Sequence, residues 1–76
     1  MTPTQAKILA FIRRYISEHG YSPTIKEMAA AAGVYYGTAF VALTRLSERG
    51  YVIKATERYT KRNVRLPDGG SNARAA

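Results

Sequence analysis

The 76-residue sequence has no cysteine, no tryptophan, a single histidine and only five acidic side chains. Without cysteine, disulfide scaffolds and thiolate-bound zinc or iron–sulfur centres are excluded together. A lone histidine, His19, cannot assemble a metal site, and no serine has a base beside it for nucleophilic chemistry. No carboxylate pair and no phosphate-binding loop is present either, so the chain is expected not to be an enzyme and to need no cofactor. A run of about 18 apolar residues and a signal-peptide pattern are also missing. The expectation is therefore a cytoplasmic protein with no membrane partner. A domain of this length buries only about 60% of the surface its unfolded chain exposes, so its stability is expected to be marginal.

Acids are outnumbered by twelve Lys and Arg, leaving a net charge of +7. An excess this large on so short a chain points to a polyanion, nucleic acid before membrane, although solubility alone can favour a basic surface. Its location favours the first reading. Residues 51–66 carry +4 through Lys54, Arg58, Lys61, Arg62 and Arg65 against Glu57, while residues 21–33 and 67–76 are neutral. A solubility device would be spread more evenly.

Helical signals dominate the first two thirds. Thr2-Pro3-Thr4-Gln5 has a Thr N-cap, a Pro at the first helical position and a Gln three residues after the cap, the capping-box pattern. Ile8, Phe11, Ile12, Tyr15 and Ile16 recur on one helical face, and Gly20 followed by Tyr21-Ser22-Pro23 ends the helix. A second box, Thr24-Ile25-Lys26-Glu27, opens a short helix from Ile25 to about Ala32 whose alanines permit close helix approach. Gly33 closes it, and Val34 is expected to plug the turn into the core. A third helix runs from about Gly37 to Arg49, with Ala39, Leu43 and Leu46 inward and Gly50 as terminator. Tyr51 to Ala55 reads as a strand, Thr56 to Lys61 as a polar turn, and Asn63 to Leu66 as a returning strand. The fold class is thus mainly α with a small β hairpin: a three-helix winged helix-turn-helix. One domain is expected over 1–66, with a disordered tail over 67–76 that has nothing to bury.

From Thr2 to Leu66 the chain resembles the N-terminal DNA-binding domain of the LexA repressor family. The resemblance is carried by Thr2-x-x-Gln5, Phe11-Ile12, Ile16-Ser17, Gly20, Pro23-Thr24-x-x-Glu27, Ala29, Gly33, Leu43, Leu46, Arg49-Gly50, Val52-Ile53 and Val64-Arg65-Leu66. It implies a winged helix that binds double-stranded DNA and regulates transcription, most simply as a repressor. Two departures limit what is carried over. The polar base readers at the start of the family's third helix are replaced by Tyr35-Tyr36-Gly37-Thr38-Ala39-Phe40-Val41, one residue shorter at the turn. The chain also stops where the family's linker to its self-cleaving peptidase domain would run, so inactivation by autoproteolysis is not implied.

Three regions would carry binding. Arg58, Tyr59, Lys61 and Arg62 place cations and an aromatic ring at the hairpin tip, where they can follow the phosphate backbone or enter the minor groove; exposed tips are also often charged for no such reason. On the third helix a groove-facing stripe would hold Tyr35, Tyr36, Gly37, Thr38, Val41, Thr44 and Arg45. Gly37 would let the backbone approach phosphates, and Val41 could meet a thymine methyl. Arg45 could make a bidentate contact to guanine or reach a phosphate. Phe40 could face DNA, the core or a partner protein. At the second helix, Ser22 and Thr24 would present hydroxyls beside free backbone N–H groups, with Lys26 on the same turn, a phosphate clamp; Thr24 must cap the helix in any case, and both roles can hold together because the backbone amides do the anchoring. Lys7, Arg13 and Arg14 read as a solvated face, and His19 as a cation for the helix's negative end.

One such module makes a small interface, so useful affinity is expected to need either tandem sites or a homodimer, which could be weak or DNA-assisted. A rival reading is a winged helix converted to a protein-interaction module through Tyr35, Tyr36, Phe40 and Val41, such as a phage-type inhibitor of a host regulator or polymerase.

Overall fold

A computed structural model describes residues 1–54 and 64–67. Three helices, α1 (Pro3–His19), α2 (Ile25–Ala32) and α3 (Tyr36–Glu48), precede two short strands, β1 (Ile53–Lys54) and β2 (Val64–Arg65). Each helix packs on the other two. The strands pair antiparallel, Ile53 opposite Arg65 and Lys54 opposite Val64. This is the mainly helical, winged helix-turn-helix architecture that the residue pattern predicts.

The helix ends follow from local hydrogen-bond chemistry. Thr2 Oγ1 accepts from the Gln5 N–H at 3.1 Å. At α2 the box is complete: Thr24 Oγ1 accepts from the Glu27 N–H, and Glu27 Oε1 accepts from the Thr24 N–H. At α1 the reciprocal bond is missing. The Gln5 side-chain oxygen is instead buried without a hydrogen-bond partner among the described residues. Two of the three helices close with the same wrapped turn. Val34 N–H reaches Ala29 O and Gly33 N–H reaches Ala30 O after α2; Tyr51 N–H reaches Leu46 O and Gly50 N–H reaches Ser47 O after α3. Gly33 at φ 71° and Gly50 at φ 83° occupy the left-handed backbone region that these turns require.

That closing turn explains why β1 is shorter than the expected strand from Tyr51 to Ala55. The Tyr51 N–H is spent on the Leu46 carbonyl, so pairing begins only at Ile53. Ala55 and Asn63, expected as strand residues, lie outside the described residues, as does the tail from Asp68 onward.

The core joins Ile8, Leu9, Ile12 and Ile16 of α1 to Met28 and Ala29 of α2 and to Ala39, Ala42, Leu43 and Leu46 of α3. Val52, Val64 and Leu66 close it from the strand side, and Val34 packs against it as the expected plug. Leu9 and Ala42 are inward in addition to the expected sets. Phe11 and Tyr15 are only half-buried and begin an aromatic row down the flank of α1. Ring centroids lie 5.6 Å apart for Phe11–Tyr15, 4.1 Å for Tyr15–His19 and 5.7 Å for His19–Tyr21. His19, expected only to meet the helix terminus, is therefore also a stacking residue.

Candidate nucleic-acid interface

α3 offers two faces of opposite character. Ala39, Ala42, Leu43 and Leu46 are buried. Turned outward are Tyr35, Tyr36, Gly37, Thr38, Phe40, Val41 and Arg45. Tyr35 is 87% exposed, Tyr36 58% and Val41 53%, a high exposure for large apolar or aromatic side chains. Phe40 is 45% exposed and so is not a core residue.

The start of α3 differs chemically from the starts of α1 and α2. Its N-cap is Tyr35, which makes no side-chain cap bond. The first-turn N–H groups of a helix have no intrahelical acceptor, and here no threonine oxygen covers them. Next to them stands Gly37, at which an added Cβ would meet nothing within 4 Å. Packing inside the protein does not require a glycine there, and its φ is not in the left-handed region. What a missing side chain leaves at this point is access to the backbone from outside.

An open groove of about 680 Å³ runs beside this surface. Tyr35, Gly37, Thr38, Val41 and Arg45 line one wall, and Thr2, Thr4 and Gln5 of the first turn of α1 line the other. The sequence pattern assigns Thr2 and Gln5 only to capping and gives Thr4 no role. The unmatched Gln5 oxygen is the feature that sets them apart, and an intact box pattern in the sequence conceals it. Arg45 supplies the positive charge of the groove, and its Nη1 donates to Glu48 Oε1 at 3.2 Å.

The residues expected to bind around the second helix divide. Lys26 is exposed, and Thr24 is part-buried, its hydroxyl serving the α2 cap. Ser22 corrects the sequence reading. It is 3% exposed, and its Oγ accepts from the Val64 N–H of β2 at 3.2 Å. The hydroxyl faces the inside and fastens the strand pair to the α1–α2 loop, so it cannot clamp a phosphate. Thr44 is also changed in part: its hydroxyl donates to the Phe40 carbonyl within α3 at 3.0 Å. Arg13, Arg14 and Lys7 are exposed, in keeping with a solvated face. Arg58, Tyr59, Lys61 and Arg62 lie outside the described residues. At the root of that segment, Arg65 is exposed on β2.

Among the described residues no group of His, Asp and Glu could hold a metal ion, and no helix is long and apolar enough to cross a membrane.

Comparison with known proteins agrees with this geometry. Residues 1–59 match the family model of the LexA DNA binding domain. The chain is 39% identical over 54 residues to a LexA repressor of Pseudothermotoga lettingae, covering 71% of this chain and 27% of that protein. It is 40% identical over 53 residues to the LexA repressor of Caldicellulosiruptor saccharolyticus, covering 68% and 26%. An 80-residue alignment with the LexA repressor of Pseudarthrobacter chlorophenolicus spans the whole chain and 32% of that protein at 31% identity. The chain thus corresponds to about a quarter to a third of the curated relatives it matches. With that family model covering residues 1–59, and so all three helices, the chain belongs to the family of LexA DNA-binding domains.

Proposed function

We propose that the chain is a sequence-selective, double-stranded-DNA-binding transcriptional regulator of the repressor type, acting by binding and not by catalysis. The observation that carries this reading is α3: a helix with a fully buried inner face whose outer face of tyrosines, Thr38, Val41 and Arg45 is exposed. In a major groove, about 12 Å wide, such a helix offers hydroxyls to phosphates and base edges and apolar groups to thymine methyls. Tyr35, Tyr36, Gly37, Thr38, Val41, Thr44 and Arg45 would form this contact, with Thr44 acting through its methyl. Thr24 and Lys26 at α2, and Arg58, Tyr59, Lys61 and Arg62 in the wing segment, would hold the backbone. Ser22 has no part in it.

The site of action would be the cytoplasm, on the chromosome, and the bound form a dimer assembled on twofold-related half-sites. Mobility-shift titrations of duplex DNA at several salt concentrations test the reading. Replacing Arg58, Lys61 and Arg62 together by alanine should lower affinity. It should also flatten the slope of log affinity against log salt, by up to about 0.9 for each phosphate no longer neutralised. Absence of any binding, or binding with no salt slope, overturns the reading.

The exposure of Tyr35, Tyr36, Phe40 and Val41 favours one second reading, a protein-interaction surface on the same helix. Under that reading the triple-alanine wing variant keeps its partner intact.

A further inference from the structure

Glu48 is the last residue of α3, and its carboxylate holds Arg45 at 3.2 Å with both side chains more than half exposed. Helix physics gives little reason for it. An acid at a helix C-terminus faces the negative end of the dipole. An acid that follows its cation in the chain is the poorer order for a helical ion pair. An exposed pair of this kind adds little to stability. Its position is more informative. Thr38, Val41, Arg45 and Glu48 recur at the three- and four-residue spacing of one helical face, and all four are exposed. Thr38, Val41 and Arg45 line the groove beside α1, and Glu48 follows them on the same face, just past the groove.

We infer that Glu48 is a positioning residue for base recognition, which directs Arg45 to the neutral edge of a guanine and disfavours its contact with phosphate. The inference rests on the reading of α3 as the major-groove helix. A guanidinium carries five donors in a flat fork. Glu48 engages it at Nη1, which leaves the remaining donors for the O6 and N7 of guanine, the bidentate pattern of arginine on that base. A phosphate drawn to the same guanidinium would be brought close to the Glu48 carboxylate, and like charges repel. A guanine edge carries no net charge and meets no such penalty. Glu48 thereby converts a cation that could serve any sequence into one that serves a particular base.

The test is selection of bound sites from random duplex DNA with the whole chain, followed by titration of the selected site and its single-base-pair variants. Arg45→Ala should reduce the preference for guanine at one position by roughly tenfold or more, the discrimination that a bidentate arginine–guanine pair supplies. Glu48→Ala should reduce the preference at that same position several-fold. It should also bind unrelated duplexes more tightly and steepen the salt slope by about 0.9 as Arg45 turns to phosphate. Glu48→Gln, which keeps an acceptor oxygen, should retain more of the preference than Glu48→Ala. The double variant should show no greater loss than Arg45→Ala alone.

Two results overturn the inference while leaving DNA binding standing. In one, Glu48→Ala tightens binding to every duplex equally and guanine preference is unchanged, which makes Glu48 a repulsive charge only. In the other, Arg45→Ala weakens all duplexes alike, which makes Arg45 a phosphate ligand. Absence of salt-dependent binding by the unaltered chain overturns the DNA reading itself, and the role of Glu48 with it.

Discussion

Two small residues separate architecture from recognition. Ser22 was legible in the sequence as a hydroxyl beside a helix start, and that pattern favours a phosphate site. Its true partner is the Val64 N–H, 42 positions along the chain, which no local pattern reveals. Ser22→Ala would leave that buried N–H unsatisfied at a cost of about 1–3 kcal/mol. In a chain this short, each kcal/mol lowers the melting temperature by roughly 4–8 °C. Thermal unfolding should show the drop, whereas DNA affinity measured well below the transition should change little; a large selective loss of affinity would return Ser22 to the interface. Gly37 should behave in the opposite way. Alanine is the better helix former, and the added Cβ meets no neighbour, so Gly37→Ala should leave stability unchanged or raise it by up to about 1 kcal/mol. If the backbone there approaches DNA, the same change weakens binding. Equal affinity of the two proteins in a side-by-side titration would show that the glycine has no such role.

Among the elements, helix boundaries were the most legible part because their signals are local. Thr2, Thr24, Gly20, Gly33 and Gly50 stand where the caps form, and the helix bounds lie within a residue or so of expectation. The strands were less so. Strand propensity at Tyr51 and Val52 is real, yet the wrapped end of α3 takes the Tyr51 N–H before any ladder can. Val52 then serves the core, 2% exposed, without belonging to a strand. The half-formed box at α1 was illegible for a similar reason: the sequence pattern is intact, and only packing decides that Gln5 turns inward. The contrast between the boxes is measurable. Thr24→Ala removes a cap whose loss typically costs about 1 kcal/mol, seen as a lower denaturation midpoint. Gly50→Ala strains a residue at φ 83° and breaks the turn that launches β1. A loss on the order of 1 kcal/mol in chemical denaturation is expected, and an unchanged midpoint would refute the strain argument.

At the scale of the whole molecule, the proposed function rests on charge before it rests on base recognition. Its charge of +7 was visible at once, and so was the concentration of that charge after Gly50. Which groups would read bases under the proposed function was less so, because α3 has no Asn or Gln and offers hydroxyls, a methyl-bearing stripe and one arginine. Affinity should therefore depend more steeply on salt than specificity does. Raising salt should weaken cognate and unrelated duplexes in near parallel, preserving their ratio, since phosphate contacts carry the common term. Competition titrations at two salt concentrations check this, and a ratio that collapses with salt would show that discrimination itself is ionic. Sedimentation of the chain with and without a selected duplex should show assembly to two copies on DNA if the site is twofold. A single copy on a non-repeating site would remove the dimer.

The bond from Val64 to Ser22 bears also on how such a domain can diversify. The two ends of segment 55–63 are held together by Lys54 pairing with Val64, and the second of them is fastened to the helical body. Closure entropy for the chain between fixed ends grows slowly, by about 0.6 kcal/mol for each doubling of length. Residues can thus be added, removed or exchanged between 55 and 63 at small energetic penalty to the three helices. What the frame fixes is thus the pair of ends at Lys54 and Val64, and a change of length between them should leave the melting of the three helices nearly where it was.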